Sequence, residues 1–237
     1  MTLPGAREVM AAVRATWPPA RTVRAGRFDV PLDPEGSRRA IAARACEPGA
    51  GPADLAAAEA ARPGAIFSTV DGEERALCDL LAARGYEAEG ASALMAGPVA
   101  PLLGGLPRVS GFAHWPPAAI CEAMWAAHGN GAASLATAGR APHPKAAILL
   151  RADDRAAGAL FVAVAGGLAV LHMVLTLPAH RRRGVGHLGL QQAAAFAASH
   201  DAGHLVLPVE RTNAPAIALY ERAGLAAVGG YRYWRRL

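Results

Sequence analysis

The chain has 237 residues, above the usual single-domain size of about 100–150 residues, so two modest domains are expected. Hydrophobic residues make up 53% and charged residues 18%, which excludes a disordered chain. No apolar run reaches the roughly 18–20 residues of a membrane span and the amino terminus lacks a signal-peptide core, so a soluble, cytoplasmic protein without a membrane partner is expected.

In chain order, residues 8–15 suit a short helix that Pro18 and Pro19 end. Residues 28–32 read as a strand, "GPADLAAAEAARPG" as a helix stopped by Gly64, and "AIFSTV" as a strand. "GEERALCDLLAARG" is a helix halted at Gly85, followed by the alternating strand pattern of "YEAEGASALMAG". Gly97 to Pro107, rich in proline and paired glycines with few charges, is the best linker candidate. Beyond it Pro116 and Pro117 are expected in the first turn of a helix bearing Ile120, Met124 and Trp125, and a shorter helical segment follows. "KAAILLRA", "AAGALFVAVAGG" and "LAVLHMVLTL", split by "DDR" and "GG", read as an antiparallel meander. Then come a helix carrying Leu190, Ala193, Phe196 and Ala197 on one face, the strand "LVLPV", the helix "NAPAIALYERAG" and the strand "YRYW".

Two internal echoes stand out. "LLAARGYEAEG" from Leu80 and "LYERAGLAAVG" from Leu219 align Gly85 with Gly224 and Gly90 with Gly229, and "TWPPA" echoes "HWPPA". They suggest a duplicated fold whose first copy is shortened.

The stretch that carries chemistry is "LPAHRRRGVGHLGLQ", from Leu177 to Gln191. Glycines at 184 and 186 let backbone approach a ligand closely, and the first turn of the following helix presents free N–H groups. With Arg181, Arg182 and Arg183 beside them, these amides suit a pyrophosphate better than a single carboxylate. Cys46, Cys78 and Cys121 are far apart and lack ligand spacing, so they read as reduced hydrophobes and no metal is expected.

Arg181, Gly184 and Gly186 match the Arg/Gln-x-x-Gly-x-Gly/Ala signature, with "VLTLP" before it. "NAPAIALYERAGL" matches Asn-x-x-Ala-x-x-x-Tyr-x-x-x-Gly-Phe at Asn213, Ala216, Tyr220 and Gly224, with Leu225 in place of Phe. The region from about residue 107 to 237 thus resembles the Gcn5-related N-acetyltransferase (GNAT) family. That resemblance implies a mixed α/β (α+β) fold with a central, mostly antiparallel mixed sheet whose strands splay, flanked by helices. The expected division is a degenerate GNAT-like domain with linker over 1–107 and a catalytic domain over 108–237.

The resemblance also implies acetyl-CoA as co-substrate and direct acetyl transfer to a primary amine in a ternary complex, by a monomer or homodimer. Val174, Leu175 and Thr176 would meet the pantetheine, Arg181, Arg182, Arg183, Gly184, Val185, Gly186 and His187 the phosphates, and Asn213 and Tyr220 would face the cofactor. Tyr220 is the candidate general acid, and His172 or Glu210 the candidate base. His114, Trp115, Trp125 and His128, with the terminal "YRYWRR", would line the acceptor side. The competing readings are a non-catalytic acyl-CoA sensor or scaffold and, from the +5 net charge, a nucleic-acid binder. The latter fits poorly because no stacking aromatics interleave with the arginine run.

Overall fold

The computed structural model describes residues 2–33 and 36–236. In the first half, α1 (Ala6–Ala15) precedes a small meander of β1 (Thr22–Ala25), β2 (Phe28–Pro31), α2 (Arg38–Ile41) and β3 (Arg44–Ala45). Then follow α3 (Pro52–Ala61), β4 (Phe67–Val70), α4 (Arg75–Ala83) and β5 (Glu87–Pro98). The second half comprises β6 (Gly111–His114), α5 (Ala119–Ala127), α6 (Ala132–Arg140), β7 (Lys145–Ala152), β8 (Arg155–Ala165) and β9 (Leu168–Thr176). It ends with α7 (Val185–Ala198), β10 (His204–Glu210), α8 (Ala214–Arg222) and β11 (Ala226–Arg235).

β1, β2 and β3 form one sheet, and the other eight strands form a second in the order β4-β11-β5-β10-β9-β8-β7-β6. The large sheet is mixed: β9 and β10 run parallel, while its other neighbours are antiparallel. This is the mixed, mostly antiparallel sheet flanked by helices expected from the sequence, with a second sheet near the amino terminus. The linker segment begins inside β5, and its Leu102 is buried against the α7 side of the sheet.

β5 lies between β10 and β11, antiparallel to both, with Leu207 opposite Met95 and Tyr231 opposite Ser92. Its alternating side chains serve two cores: Ala93 and Met95 join the α7 face, while Leu94 and Ala96 join the α1 face. Residues on both sides of the 107/108 boundary therefore build one sheet. The element order from α1 to β5 recurs from α6 to β11: helix, three-strand meander, helix, strand, helix, strand.

On one face α7 buries Val185, Leu190, Ala193, Ala194 and Ala197 against Leu160, Val162, Leu171 and Leu207. Its alanines leave room for a close approach to the sheet. On the other, α1 buries Val9, Met10 and Val13 against Leu94, Val170 and Val206. α5 and α6 bury Cys121, Met124, Trp125 and Ala138 against Phe161 and Met173 on the same side.

Two details differ from the sequence reading. Pro116 and Pro117 precede α5 instead of occupying its first turn, because the helix starts at Ala119. The edge strand β6, only four residues long, pairs with β7 where the sequence showed no strand pattern.

Candidate active site

β9 and β10 share only three paired positions, from Leu168 opposite His204 to Val170 opposite Val206. Beyond Val170 the strands diverge. On its other side β9 stays paired with β8, but the register slips between Ala159 opposite Leu175 and Phe161 opposite His172. Met173 lies in this bulge with a φ of 49°, and its carbonyl accepts a 2.8 Å hydrogen bond from the buried Trp125 indole. Past the bulge Gly158 stands opposite Thr176, where a Cβ would sit 2.3 Å from the Leu175 carbonyl oxygen.

The divergence opens a cavity of about 780 Å³, within the usual range for small-molecule sites. Its walls are Val174, Leu175 and Thr176 of β9, the loop Arg181, Arg182 and Gly184, the start of α7 at Val185, Gly186 and His187, and Asn213, Ala216 and Tyr220. Pro215, Leu219 and Arg222 of α8 complete it. These last three were absent from the sequence reading, although Leu219 sits three residues beyond Ala216, on the same side of the helix.

Gly184 caps α7 with a φ of 82°, a left-handed conformation that glycine adopts at no steric cost. The first α7 amide bonded back into the helix is that of Leu188, to the Gly184 carbonyl. The amides of Val185, Gly186 and His187 therefore lie in the unpaired first turn, beside the cavity and at the positive end of the helix. Gly186 packs against α8, where an added Cβ would meet the end of the Leu219 side chain at 2.7 Å.

The three arginines divide. Arg181 and Arg182 line the cavity, and Arg181 Nε donates weakly to the Thr176 carbonyl at 3.4 Å. Arg183 turns away and pairs with Asp153 at 2.6 Å. It borders a separate cleft with Arg108 and Arg151.

Asn213 is the cap of α8, its side-chain oxygen accepting from the Ala216 amide at 3.3 Å. Tyr220, two turns on, is 5% exposed. Burial pushes its phenol up to about 12, so it stays protonated at neutral pH and can donate. Its hydroxyl has no protein hydrogen-bond partner among the described residues.

The two candidate bases stand elsewhere. His172 is buried, stacked on Trp17 at 4.7 Å between ring centres, with Nε2 2.9 Å from Thr16 Oγ1 and Nδ1 without a partner. Burial first, then the charge of Arg39, holds its pKa well below the usual histidine value. It is absent from the cavity lining. Glu210 is exposed at the end of β10, where Arg38 bridges it at 3.3 Å to Glu89 at 3.4 Å.

The residues expected at the acceptor side are not brought together around the cavity. Trp125 is a core residue and Trp115 packs on Phe161 at 5.5 Å with the Lys145 ammonium over its ring. His114 Nδ1 lies 2.6 Å from the Pro116 carbonyl and His128 Nδ1 lies 2.8 Å from that of Met124. In the terminal strand, Tyr231 and Tyr233 are buried and share a 3.3 Å hydroxyl contact, while the Trp234 indole donates to Thr69 Oγ1. The echo of "TWPPA" and "HWPPA" has a spatial counterpart, since Trp17 and Trp115 both pack against Phe161.

Cys121 is buried and its thiol is pushed up to about 11 by burial, while Cys46 and Cys78 are half-buried. Among the described residues no group of three or more His, Cys, Asp or Glu is placed to hold a metal ion. No helix among them is long and apolar enough to cross a membrane.

Comparison with known proteins agrees with this geometry. Residues 118–225 match the model of the acetyltransferase (GNAT) family, a span that contains the whole cavity wall. A stretch of 52 residues is 48% identical to streptothricin acetyltransferase from Streptomyces lavendulae, covering 22% of this chain and 28% of that relative. A GCN5-related N-acetyltransferase from Kribbella flavida superposes with a TM-score of 0.70 at 22% identity, covering 92% of this chain and 90% of its own. A tandem GNAT protein from the clavulanic acid biosynthesis pathway gives 0.59 at 17% identity, covering 81% and 74%. The fold is thus the GNAT fold, and residues 118–225, a little under half of the chain, match the acetyltransferase (GNAT) family.

Proposed function

We propose that the protein transfers an acetyl group from acetyl-CoA to a primary amine in a ternary complex. The observation that carries this reading is the single cavity between diverging β9 and β10, walled by both signature segments, with unpaired amides and two arginines at one end and the Tyr220 hydroxyl on its α8 wall. The pyrophosphate would lie on the amides of Val185 to His187 with Arg181 and Arg182 beside it. The pantetheine would run along the unpaired edge of β9 at Val174 to Thr176.

The amine nitrogen attacks the thioester carbonyl carbon, the C–S bond breaks, and the CoA sulfur takes the proton of Tyr220, which is restored from solvent. Backbone N–H groups near the Met173 bulge stabilise the tetrahedral oxyanion. Before attack the substrate ammonium loses a proton through water towards Glu210, the exposed carboxylate at the end of β10. The nitrogen's second proton leaves to solvent as the intermediate collapses to the amide. His172, buried between Thr16 and Trp17 and absent from the cavity lining, supports β9 from behind and takes no proton from the substrate.

We further propose that residues 1–107 are a degenerate copy of the catalytic domain at 108–237, because their elements recur in the same order. The matched relative's name makes streptothricin one acceptor to try. The test is free-thiol release from acetyl-CoA with a panel of streptothricin, amino acids, peptides and amino sugars. Release with at least one amine, dependent on Tyr220, supports the reading. Acetyl-CoA that neither binds nor turns over rejects it.

A further inference from the structure

The small meander repeats the geometry of the large one. Ala43, the residue before β3, makes a single parallel bridge to Phe67 of β4, and β3 and β4 then belong to different sheets. The gap holds a second cavity, of about 360 Å³, under half the volume of the first. Ala45 and Cys46 border it on one side and Val70 on the other, and the start of α4 closes its end. α1 lies across it through Arg7, Met10, Ala11 and Arg14, an i, i+3, i+4, i+7 stripe.

Arg7, Arg14 and Arg75 line the cavity with Glu47, Glu73 and Glu74, but they do not all pair with one another. Arg7 pairs with Glu73, and Glu47 with Arg24. Half-buried Arg14 and its neighbour Arg44 have no carboxylate within ion-pairing distance among the described residues. Glu74 is the one inner carboxylate, occupied by the Val70 amide at 2.7 Å. Arg44 stands behind the lining and Arg75 is exposed, so Arg14 is the half-buried cation that meets the cavity without an ion-pair partner among the described residues. Holding such a charge away from water is costly unless a counter-ion shares the site. In agreement, burial and then the charge of Arg44 pull Arg14 down to about 10.

From this geometry we infer that the second cavity binds a small organic monocarboxylate, its carboxylate on Arg14 near Arg44 and its apolar body on Met10, Val70 and Leu77. A nucleotide does not suit it. The cavity is small, and the loop entering α3, "CEPGAGP", has a glutamate where the other cavity has arginines. This site is independent of the reading given to the larger cavity.

The experiment is calorimetric titration of the full-length protein with acetate, butyrate and hexanoate, and with inorganic phosphate, in wild type and two variants. Arg14→Gln removes the charge, and Ala11→Phe fills the cavity from an exposed helix position. Hexanoate should bind wild type more tightly than acetate does, and should weaken at least tenfold in both variants. Circular dichroism and the urea midpoint of the same samples report that each variant is folded. The inference is overturned if no carboxylate binds wild type, if phosphate alone binds, or if folded Arg14→Gln and Ala11→Phe bind hexanoate as wild type does.

Discussion

The indole Nε1 of Trp125 donates to the carbonyl of Met173 at 2.8 Å, so a helix core residue holds the bulge of the strand that borders the cavity. Met173 is in a left-handed conformation that a non-glycine side chain adopts only under constraint. Trp125→Phe keeps an aromatic ring but leaves that carbonyl unpaired in a dry core, which costs about 1–3 kcal/mol. Urea unfolding should register that loss. Thiol release should fall more than stability does, because the bulge sets the oxyanion donors.

Tyr220→Phe keeps the shape of the α8 wall and removes only the proton. Turnover should drop by about 100-fold or more, in line with the usual worth of a general acid, with little change in the KM for acetyl-CoA. Because burial holds the phenol near 12, wild-type turnover should show no alkaline fall from this group below about pH 11. A variant with full turnover removes Tyr220 from the chemistry.

The arginines at 181–183 should not be equivalent. Arg181→Ala and Arg182→Ala each remove a charge from the cavity wall, and acetyl-CoA should bind about tenfold more weakly, as for loss of a charged hydrogen bond. Arg183→Ala breaks the contact with Asp153 instead and should leave acetyl-CoA affinity within about twofold, since exposed ion pairs contribute little. Titration of the three variants side by side decides it.

His172 predicts an acid-side loss of stability. Its folded pKa is held well below the ordinary 6.5, so below that pH the unfolded chain takes up a proton that the folded ring refuses. Its contribution is intact above pH 6.5 and is lost as pH falls towards the folded pKa, by up to about 1.4 kcal/mol per pH unit. Urea midpoints between pH 7.5 and 5 should show the decline. His172→Gln, which can still bond Thr16, should flatten it.

Local pattern and spacing made much of this molecule legible. The meander from Lys145 to Thr176, the glycine stops at Gly85 and Gly224, and the loop of Arg181 to Gly186 between strand and helix all follow from period, breakers and motif. What sequence could not convey is long-range. The insertion of β5 between β10 and β11 depends on pairing partners more than 100 residues apart. Burial of His172 depends on Thr16, 156 residues away. Trp125 reads as an acceptor-side aromatic until the Met173 carbonyl is seen to claim its indole. Arg183 is indistinguishable from Arg182 until Asp153, in a turn 30 residues earlier, takes it. β6 is too short to carry an alternation.

The central claim is that the cavity between β9 and β10 holds acetyl-CoA on the backbone of residues 184–187. Its most direct measurement is calorimetric titration of acetyl-CoA into wild type and Gly186→Glu, with circular dichroism on both. At position 186 the first obstacle to a new side chain is the flexible end of Leu219, so the variant should stay folded while its carboxylate obstructs the pyrophosphate. The account predicts one site per chain in wild type and none in Gly186→Glu. Equal binding by a folded variant, or no binding by wild type, would contradict it.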